Sequence, residues 1–151
     1  MPSPFAGLGL IVDKPVRCYL AHPATRMPLL HGGPIREEET LEDVLARQAY
    51  LDLFSWHSQV AQSHRFLRDE RLRRENKALI GEEAESDLGA MLARMTHAWG
   101  LVTLTGEKIE VECTFENARE LYNSLETRWL RIQAMQFLDT EGNFLPASST
   151  S

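Results

Sequence analysis

The strongest constraint on the fold is a run of thirty-nine residues, Leu41 to Leu79, that contains neither proline nor glycine. Because those two residues most often interrupt a helix, the run permits helix throughout. Thr40 precedes the run as an N-cap, and Glu42 and Asp43 place negative charge in the first turn, where the helix dipole favours it. As a single rod, at 1.5 Å per residue, this helix would extend roughly 55–60 Å, more than the width of a small domain.

Two apolar stripes within this run point in different directions. The first is short, and the second recurs at spacings of three and four residues, which is typical of one helical face. The change of direction predicts a kink or a break near Ala49, so the run forms one helix or two. The first stripe contains Leu41, Val44, Leu45 and Gln48, and the second contains Tyr50, Leu53, Phe54, His57, Val60, Ala61, His64 and Leu67.

Two short β-hairpins are predicted, one on each side of the long run. In the first, residues 16–20 pair with residues 27–30, where Pro28 should face a sheet edge because proline cannot donate to a ladder. In the second, residues 101–104 pair across a glycine-containing turn with residues 108–113, which alternate between polar and apolar.

Three further helices are predicted from their periodicity and their end signals. Gly81 stops the long run, and the next helix carries an apolar stripe up to Trp99, with Gly100 as its C-terminal stop. Thr114 is the N-cap of another helix, and the last helix carries Trp129 to Phe137. The predicted fold class is α+β and predominantly helical, with one long or broken central helix, three further helices and two hairpins.

The chain length suits a single domain. It has 151 residues, of which 43% are hydrophobic and 25% charged, and these are values of globular proteins. We expect an N-terminal arm at residues 1–14, a single α+β domain at residues 15–146, and a polar C-terminal tail at residues 147–151.

The formal net charge of −6 argues against a general binder of nucleic acid or of anionic membranes. The charge is also segregated along the chain. Residues 37–43 and 82–87 are acidic, and residues 65–77 between them are basic. Such alternating patches favour a protein that docks on other proteins.

Features that would direct the chain to a membrane or out of the cell are not expected. The apolar run at residues 8–12 has no basic residue before it, and no stretch reaches the roughly 18 apolar residues of a membrane span. Cys18 and Cys113 could form one disulfide, but two lone cysteines without a signal sequence are more often buried thiols, so we expect thiols in a reducing cytoplasm.

Motifs for catalysis, for metal binding and for phosphate binding are absent from the sequence. It contains no GxSxG, HExxH, GxxxxGK[ST] or GxGxxG. His57 and His64 share the predicted helical face, but seven residues separate them by about 10 Å, too far for two ligands of one zinc ion. We therefore predict no catalytic, cofactor-binding or metal-binding residues, and no enzyme. The alternative is a small enzyme of unrecognised type.

The basic segment at residues 65–77 leaves a nucleic-acid-binding accessory protein as another alternative. Six cations on a helix could grip phosphates. The three acidic residues among them are, however, spaced for helical ion pairs, such as Glu70 with Arg74 and Arg71 with Glu75. This spacing favours a solvated or protein-docking face over a nucleic-acid-binding face.

Five side chains of the long run are the candidate protein-interaction residues. Aromatic residues and arginine are enriched at the centres of protein interfaces. The tryptophan lies off the main apolar stripe and would suit a second interface, in an oligomer or with a partner. Core packing is the alternative role for the aromatic residues. The candidates are Trp56, Phe66, Arg68, Arg71 and Arg74.

The stretch from Ala90 to Leu145 resembles the small tail assembly chaperones of long-tailed bacteriophages. The residues that carry the resemblance are MLARMTHAWGLVTLTGEKIEVECTFENARELY (91–122), RWLRIQAMQFL (128–138) and NFL (143–145). The shared pattern is a helix ending in tryptophan, a hairpin, a Thr-x-Glu-Asn-Ala helix opening, a Trp-Leu-x-x-Gln segment and a closing Asn-Phe. Less specifically, the segment VRCYLAHPATRMPL at residues 16–29 resembles an N-terminal hairpin of such proteins.

The resemblance implies a role without catalysis. Proteins of this family bind the tape measure protein, keep it soluble and recruit tail tube subunits during assembly in the bacterial cytoplasm. The resemblance assigns no functional residue to this chain, and Trp99 and Trp129 are expected to be structural. The alternative within the same setting is a structural tail or connector protein of the virion.

Overall fold

Four strands form one antiparallel sheet in the computed structural model, which describes residues 4–146. They are β1 (Val16–Tyr19), β2 (Tyr50–Leu53), β3 (Thr96–Val102) and β4 (Lys108–Ile109). Their order across the sheet is their order in the chain. In the register, Leu51 of β2 pairs with Cys18 on one side and with Trp99 on the other. β1 from the first predicted hairpin and β3 and β4 from the second are thus joined through β2 in a single sheet.

Five α-helices accompany the sheet, and the predicted α+β class is confirmed. Thr40 and Thr114 are N-caps as predicted: Thr40 Oγ1 accepts from the amide of Asp43 at 3.2 Å, and Thr114 Oγ1 accepts from the amide of Asn117 at 3.2 Å. The helices are α1 (Leu41–Arg47), α2 (Gln59–Glu75), α3 (Gly81–Met95), α4 (Phe115–Asn123) and α5 (Arg128–Leu138), with 3₁₀ turns at Ala6–Leu8 and Glu141–Phe144.

The long run without proline or glycine is divided into α1, β2 and α2. The predicted break near Ala49 is confirmed, but the prediction that Tyr50–His57 continue a helical stripe is wrong. Leu51 and Leu53 are fully buried, whereas Asp52 between them is partly exposed. This period of two is that of a strand, and pairing with β1 and β3 on both sides outweighs a weak local preference for helix.

Two predicted boundaries of α3 are also wrong. Gly81 begins this helix, and the role of stop belongs to Asn76, which caps α2 in the left-handed conformation with φ of 52°. Trp99 and Gly100 lie in β3 instead of at a helix end. A Cβ on Gly100 would lie 2.5 Å from a ring carbon of Tyr50, so glycine is required for the close approach of that ring.

The partner predicted for β1 is not a strand. In the described chain, residues 27–30 form only isolated bridges, from Pro28 to Ala21 and from Leu30 to Gln48. Since Gln48 lies just before β2, the segment is tied to the central strand as well as to the end of β1. The extended segment before β2 therefore takes part of the pairing that the sequence assigned to a separate hairpin.

The hairpin between β3 and β4 is confirmed in a shorter form. Its turn closes where the amide of Thr103 donates to the carbonyl of Glu107 at 2.7 Å. β4 has two residues, and residues 110–113 continue without a ladder. Trp99 Nε1 donates to the carbonyl of Val111 at 2.8 Å, which holds this continuation against β3.

The sheet and the helices α3, α4 and α5 together contribute the hydrophobic core. Gln133 of α5 binds both backbone groups of Ala21, accepting from the amide at 2.9 Å and donating to the carbonyl at 2.8 Å. Near the chain ends, the amide of Ile11 donates to the carbonyl of Phe144 at 2.7 Å. The largest apolar side chains with under 2% exposure are Leu20, Leu51, Leu53, Leu92, Met95 and Tyr122.

A buried cation joins the three packed helices. Arg131 of α5 is 2% exposed. Its guanidinium donates to the carbonyls of Tyr122 and Glu85, to the side chain of Asn123, and to the Glu85 carboxylate at 3.2 Å. These bonds satisfy a charge that would otherwise be costly to bury, so we assign Arg131 a structural role.

Candidate functional site

An open groove of about 810 Å³ runs between α2 on one side and α3 and α4 on the other. We call it the α2–α4 groove. It combines apolar and positively charged side chains with a single carboxylate, that of Asp87. The apolar residues of its lining are Val60, Leu67, Ala90, Ala93 and Phe115, and the arginines are Arg68, Arg71, Arg94 and Arg119.

A polar cluster fixes the wall that α2 contributes. Asp87 of α3 lies 3.1 Å from His64 Nε2 and accepts from Arg68 Nη1 at 3.2 Å. The side chains of His64 and Asp87 are only 9% and 12% exposed. We call these three residues the α2–α3 clasp. Ala61 is fully buried and Val60 packs partly buried against the core, so apolar burial holds α2 near its start, while the clasp adds charged contacts further along the helix.

Three of the four groove arginines have no carboxylate partner among the described residues. Arg68 is neutralised within the clasp, whereas Arg71, Arg94 and Arg119 take part in none of the ion pairs of residues 4–146. The guanidinium carbons of Arg94 and Arg119 lie 4.5 Å and 5.3 Å from the centre of the Phe115 ring. The groove therefore presents net positive charge around an aromatic ring.

The groove also contains a thiol. Cys113 is partly buried, and its Sγ donates to the carbonyl of Thr96 at 4.0 Å. Burial raises the pKa of the Cys113 thiol, so it remains protonated at neutral pH. A protonated thiol is a poor nucleophile and a poor metal ligand, so we give Cys113 a packing role.

The candidate residues predicted from the sequence do not all lie in one place. Arg68 and Arg71 line the α2–α4 groove. Arg74 is exposed on α2 beyond the groove lining, three residues after Arg71 and so on a similar side of the helix. Phe66 is 65% exposed and lies outside the groove lining. The structure thus unites two of the five candidates.

Trp56, the remaining candidate, is bound within the protein. It lies in the turn before α2 and packs partly buried against the core. Its Nε1 donates to Asp139 Oδ1 at 2.9 Å, and its carbonyl accepts from Arg65 at 2.8 Å. These contacts give Trp56 a role in joining the start of α2 to the end of α5.

The ion pairs predicted along α2 are replaced by others. Glu70 pairs with Arg73 instead of Arg74. Glu75 lies 3.8 Å from Lys77 instead of pairing with Arg71. Arg71 and Arg74 are consequently left with their charges unpaired within the described chain, which the spacing rule for helices did not indicate.

The two histidines of the predicted stripe do not share a helix. His57 lies in the turn before α2, and His64 belongs to the clasp, because β2 and its following turn interrupt the run. Among residues 4–146, no group of three His, Cys, Asp or Glu side chains is placed to hold a metal ion. No helix of this part of the chain is long and apolar enough to cross a membrane.

The sequence did not indicate the α3 and α4 residues of the groove. Arg94, Phe115 and Arg119 come from segments distant from α2, and only the fold brings them opposite Leu67 and Arg71. One local signal existed, since Phe115 and Arg119 are four residues apart on one helix and so share a face.

Several residues of the segment 90–145 make structural contacts. Trp99 and Trp129 pack against the core. Gln133 binds the backbone of Ala21, and Asn143 Nδ2 donates to the carbonyl of Phe137 at 2.9 Å.

No protein-family model, no curated protein and no solved structure matches the chain.

Proposed function

We propose that this chain is a non-enzymatic tail assembly chaperone of a bacteriophage, which binds the tape measure protein and recruits tail tube subunits in the host cytoplasm. The observation that carries the proposal is the α2–α4 groove, an open surface of apolar and cationic side chains. The resemblance of residues 90–145 to such chaperones supplies the identity of the partners.

The make-up of the groove suits a helical partner. In helix-in-groove recognition, an amphipathic helix lays its apolar face into a hydrophobic groove. Leu67 on the groove wall is 66% exposed, and covering such a side chain is favourable. A tape measure protein is long and helical with apolar seams, so it presents many faces of this kind.

The contacts that the cations in residues 65–77 already make favour a protein partner over nucleic acid. Most of them already contact groups of the protein itself, and two remaining cations would release few counterions from a phosphate backbone. Arg65, Arg68, Arg73 and Lys77 contact a backbone carbonyl or carboxylates, and Arg71 and Arg74 are outside the ion pairs of the described chain.

A pull-down from cells that produce the virion tests the proposal. The tagged chain should recover a very long helical protein and a tail tube protein, identified by mass spectrometry, while the tag alone should recover neither. Recovery of neither protein by the tagged chain would contradict the proposal.

Mass spectrometry of finished particles separates an assembly chaperone from a structural subunit. A chaperone acts before completion of the tail, so we expect purified particles to contain no stoichiometric amount of this chain. Abundant copies in the particle would instead indicate a structural tail or connector protein.

A further inference from the structure

We propose that the α2–α4 groove binds an acidic amphipathic segment of its protein partner. The carboxylates of that segment pair with Arg71, Arg94 and Arg119, and its apolar side chains lie on Leu67 and Phe115. The inference deepens the proposed function, and it rests on that function only for the statement that the occupant is a protein.

The first support is charge complementarity. The groove contains four arginines and one carboxylate, although the whole chain has a formal charge of −6. The one carboxylate, Asp87, already contacts Arg68 and His64. The other three arginines are exposed and free to pair with an incoming acid, and carboxylates match the planar donor geometry of arginine best.

The second support is the arrangement of two cations around one ring. Arg94 and Arg119 both contact the ring of Phe115, at 4.5 Å and 5.3 Å from its centre. Each contact is favourable, but the two like charges repel each other. Glu116, the next residue in the chain, is in none of the ion pairs of the described residues. A carboxylate from a partner would relieve the repulsion.

The third support concerns the class of the occupant. Apolar side chains line the groove together with the arginines, and Leu67 is 66% exposed. An amphipathic peptide segment offers apolar groups that cover such residues, whereas a phosphate backbone does not.

Three probes of similar length test the inference by fluorescence anisotropy. The first is a labelled peptide of about 14 residues, or four turns, with Glu and Leu at helical spacing. The second carries Gln at every Glu position, and the third is a single-stranded DNA. We expect the acidic peptide to bind more tightly than the other two, and more tightly at low salt than at high salt.

Matched charge-removing variants locate the binding. The groove variant R71Q/R94Q/R119Q should bind the acidic peptide about tenfold more weakly than the wild type, since three charge pairs are lost. The control variant R26Q/R36Q/R73Q removes three exposed arginines outside the groove lining and should bind as the wild type does. Circular dichroism during thermal unfolding checks that both variants are folded.

Several results would overturn the inference. With the wild type, these are failure to bind the acidic peptide, or equal affinity for the acidic and the neutral peptide. With the variants, the contradicting result is an equal loss of peptide affinity in the groove and control variants. With DNA, it is binding that is tighter than that of the acidic peptide and that the groove variant abolishes. Failure of the proposed function looks different, because the wild type would then recover no tape measure protein while the peptide result remained. A tape measure protein recovered equally by wild type and groove variant would contradict this inference alone.

Discussion

The hydroxyl of Tyr122 is buried in the core, and its hydrogen-bond partner is the hydroxyl of Thr96. The two hydroxyl oxygens are 2.7 Å apart, and Thr96 Oγ1 donates to the carbonyl of Leu92 at 2.8 Å, so the tyrosine is the donor to Thr96. We expect Thr96→Val to lower the free energy of unfolding by about 1–3 kcal/mol, because it leaves a buried donor unsatisfied. Urea unfolding followed by circular dichroism measures the change.

Tyr122→Phe is the matched control for this prediction. It removes the donor while Thr96 keeps its bond to Leu92, so the expected loss is smaller, about 0.5–1.5 kcal/mol. A Thr96→Val protein as stable as the wild type, or a larger loss in Tyr122→Phe than in Thr96→Val, would show that this hydrogen bond does not stabilise the core as described.

Glu39 makes stability depend on pH in the acid range. Its hydrogen bonds from the Arg47 guanidinium and from the amide of Arg36 lower the pKa of the carboxyl to about 2. In the unfolded chain a glutamate has a pKa of about 4.3. The unfolded state therefore takes up the proton first, and the stabilisation present above pH 4.3 is lost as the pH falls towards about 2.

Glu39→Gln tests this pH dependence. The glutamine does not titrate, so we expect lower stability than the wild type at neutral pH and a shallower decline of the melting temperature with acidification. Parallel curves for the two proteins across the acid range would show that the interaction of Glu39 with Arg47 contributes no pH-dependent stability.

At the scale of elements, helix α2 depends on the α2–α3 clasp. Its single fully buried residue is Ala61, so removal of the clasp should free the helix before the rest of the protein unfolds. We expect Asp87→Ala to raise the hydrogen-exchange rates of α2 amides after His64 by roughly ten- to a hundredfold, because two bonds to a charged group are lost. Mass spectrometry of exchanged peptides measures this effect.

Asp69→Ala is the control for the clasp. Asp69 also contacts Arg68, at 3.1 Å, but its side chain is 66% exposed and it lies on α2 itself. Its removal should leave exchange in α2 unchanged, because an exposed ion pair contributes little. Equal exchange in Asp87→Ala and the wild type would mean that other contacts hold α2.

The elements that could be predicted from the sequence are those set by local interactions. The N-caps Thr40 and Thr114 act within one helical turn, and both are present as predicted. The strand at Tyr50–Leu53 could not be predicted in this way, because it depends on pairing with two distant strands. Gly100 was misassigned for a related reason, since its requirement comes from the ring of Tyr50 and not from a helix end.

The candidate site, too, could be predicted only in part from the sequence. Arg68 and Arg71 were candidates because they lie in the basic segment at residues 65–77, which can be read directly from the sequence, and both line the groove. Arg94, Phe115 and Asp87 complete the groove from helices that only the tertiary fold brings near. Charge patterning along a chain thus indicated one wall of the groove, while the opposite wall required the packing of α2 on α3 and α4.

The two ends of the described chain lie in contact with each other and with the core. Leu10 and Ile11 pack against the core, and the amide of Ile11 donates to the carbonyl of Phe144. Phe144 is 3% exposed and contacts the ring of Phe137 edge-on at 5.6 Å. The segment predicted as an arm therefore includes residues that belong to the packed domain.

Two truncations separate the packed part of this segment from the part before it. Removal of residues 1–9 should lower the free energy of unfolding by less than removal of residues 1–12, since Phe5 and Leu8 are 70% and 83% exposed. Removal of residues 1–12 should lower it by about 1–3 kcal/mol, because the partly buried side chains of Leu10, Ile11 and Val12 and one backbone hydrogen bond are also lost. Urea unfolding compares the two proteins, and Ile11→Ala in the full chain should give part of the larger loss. If both truncated proteins were equally stable, the contact between Ile11 and Phe144 would contribute nothing to the fold.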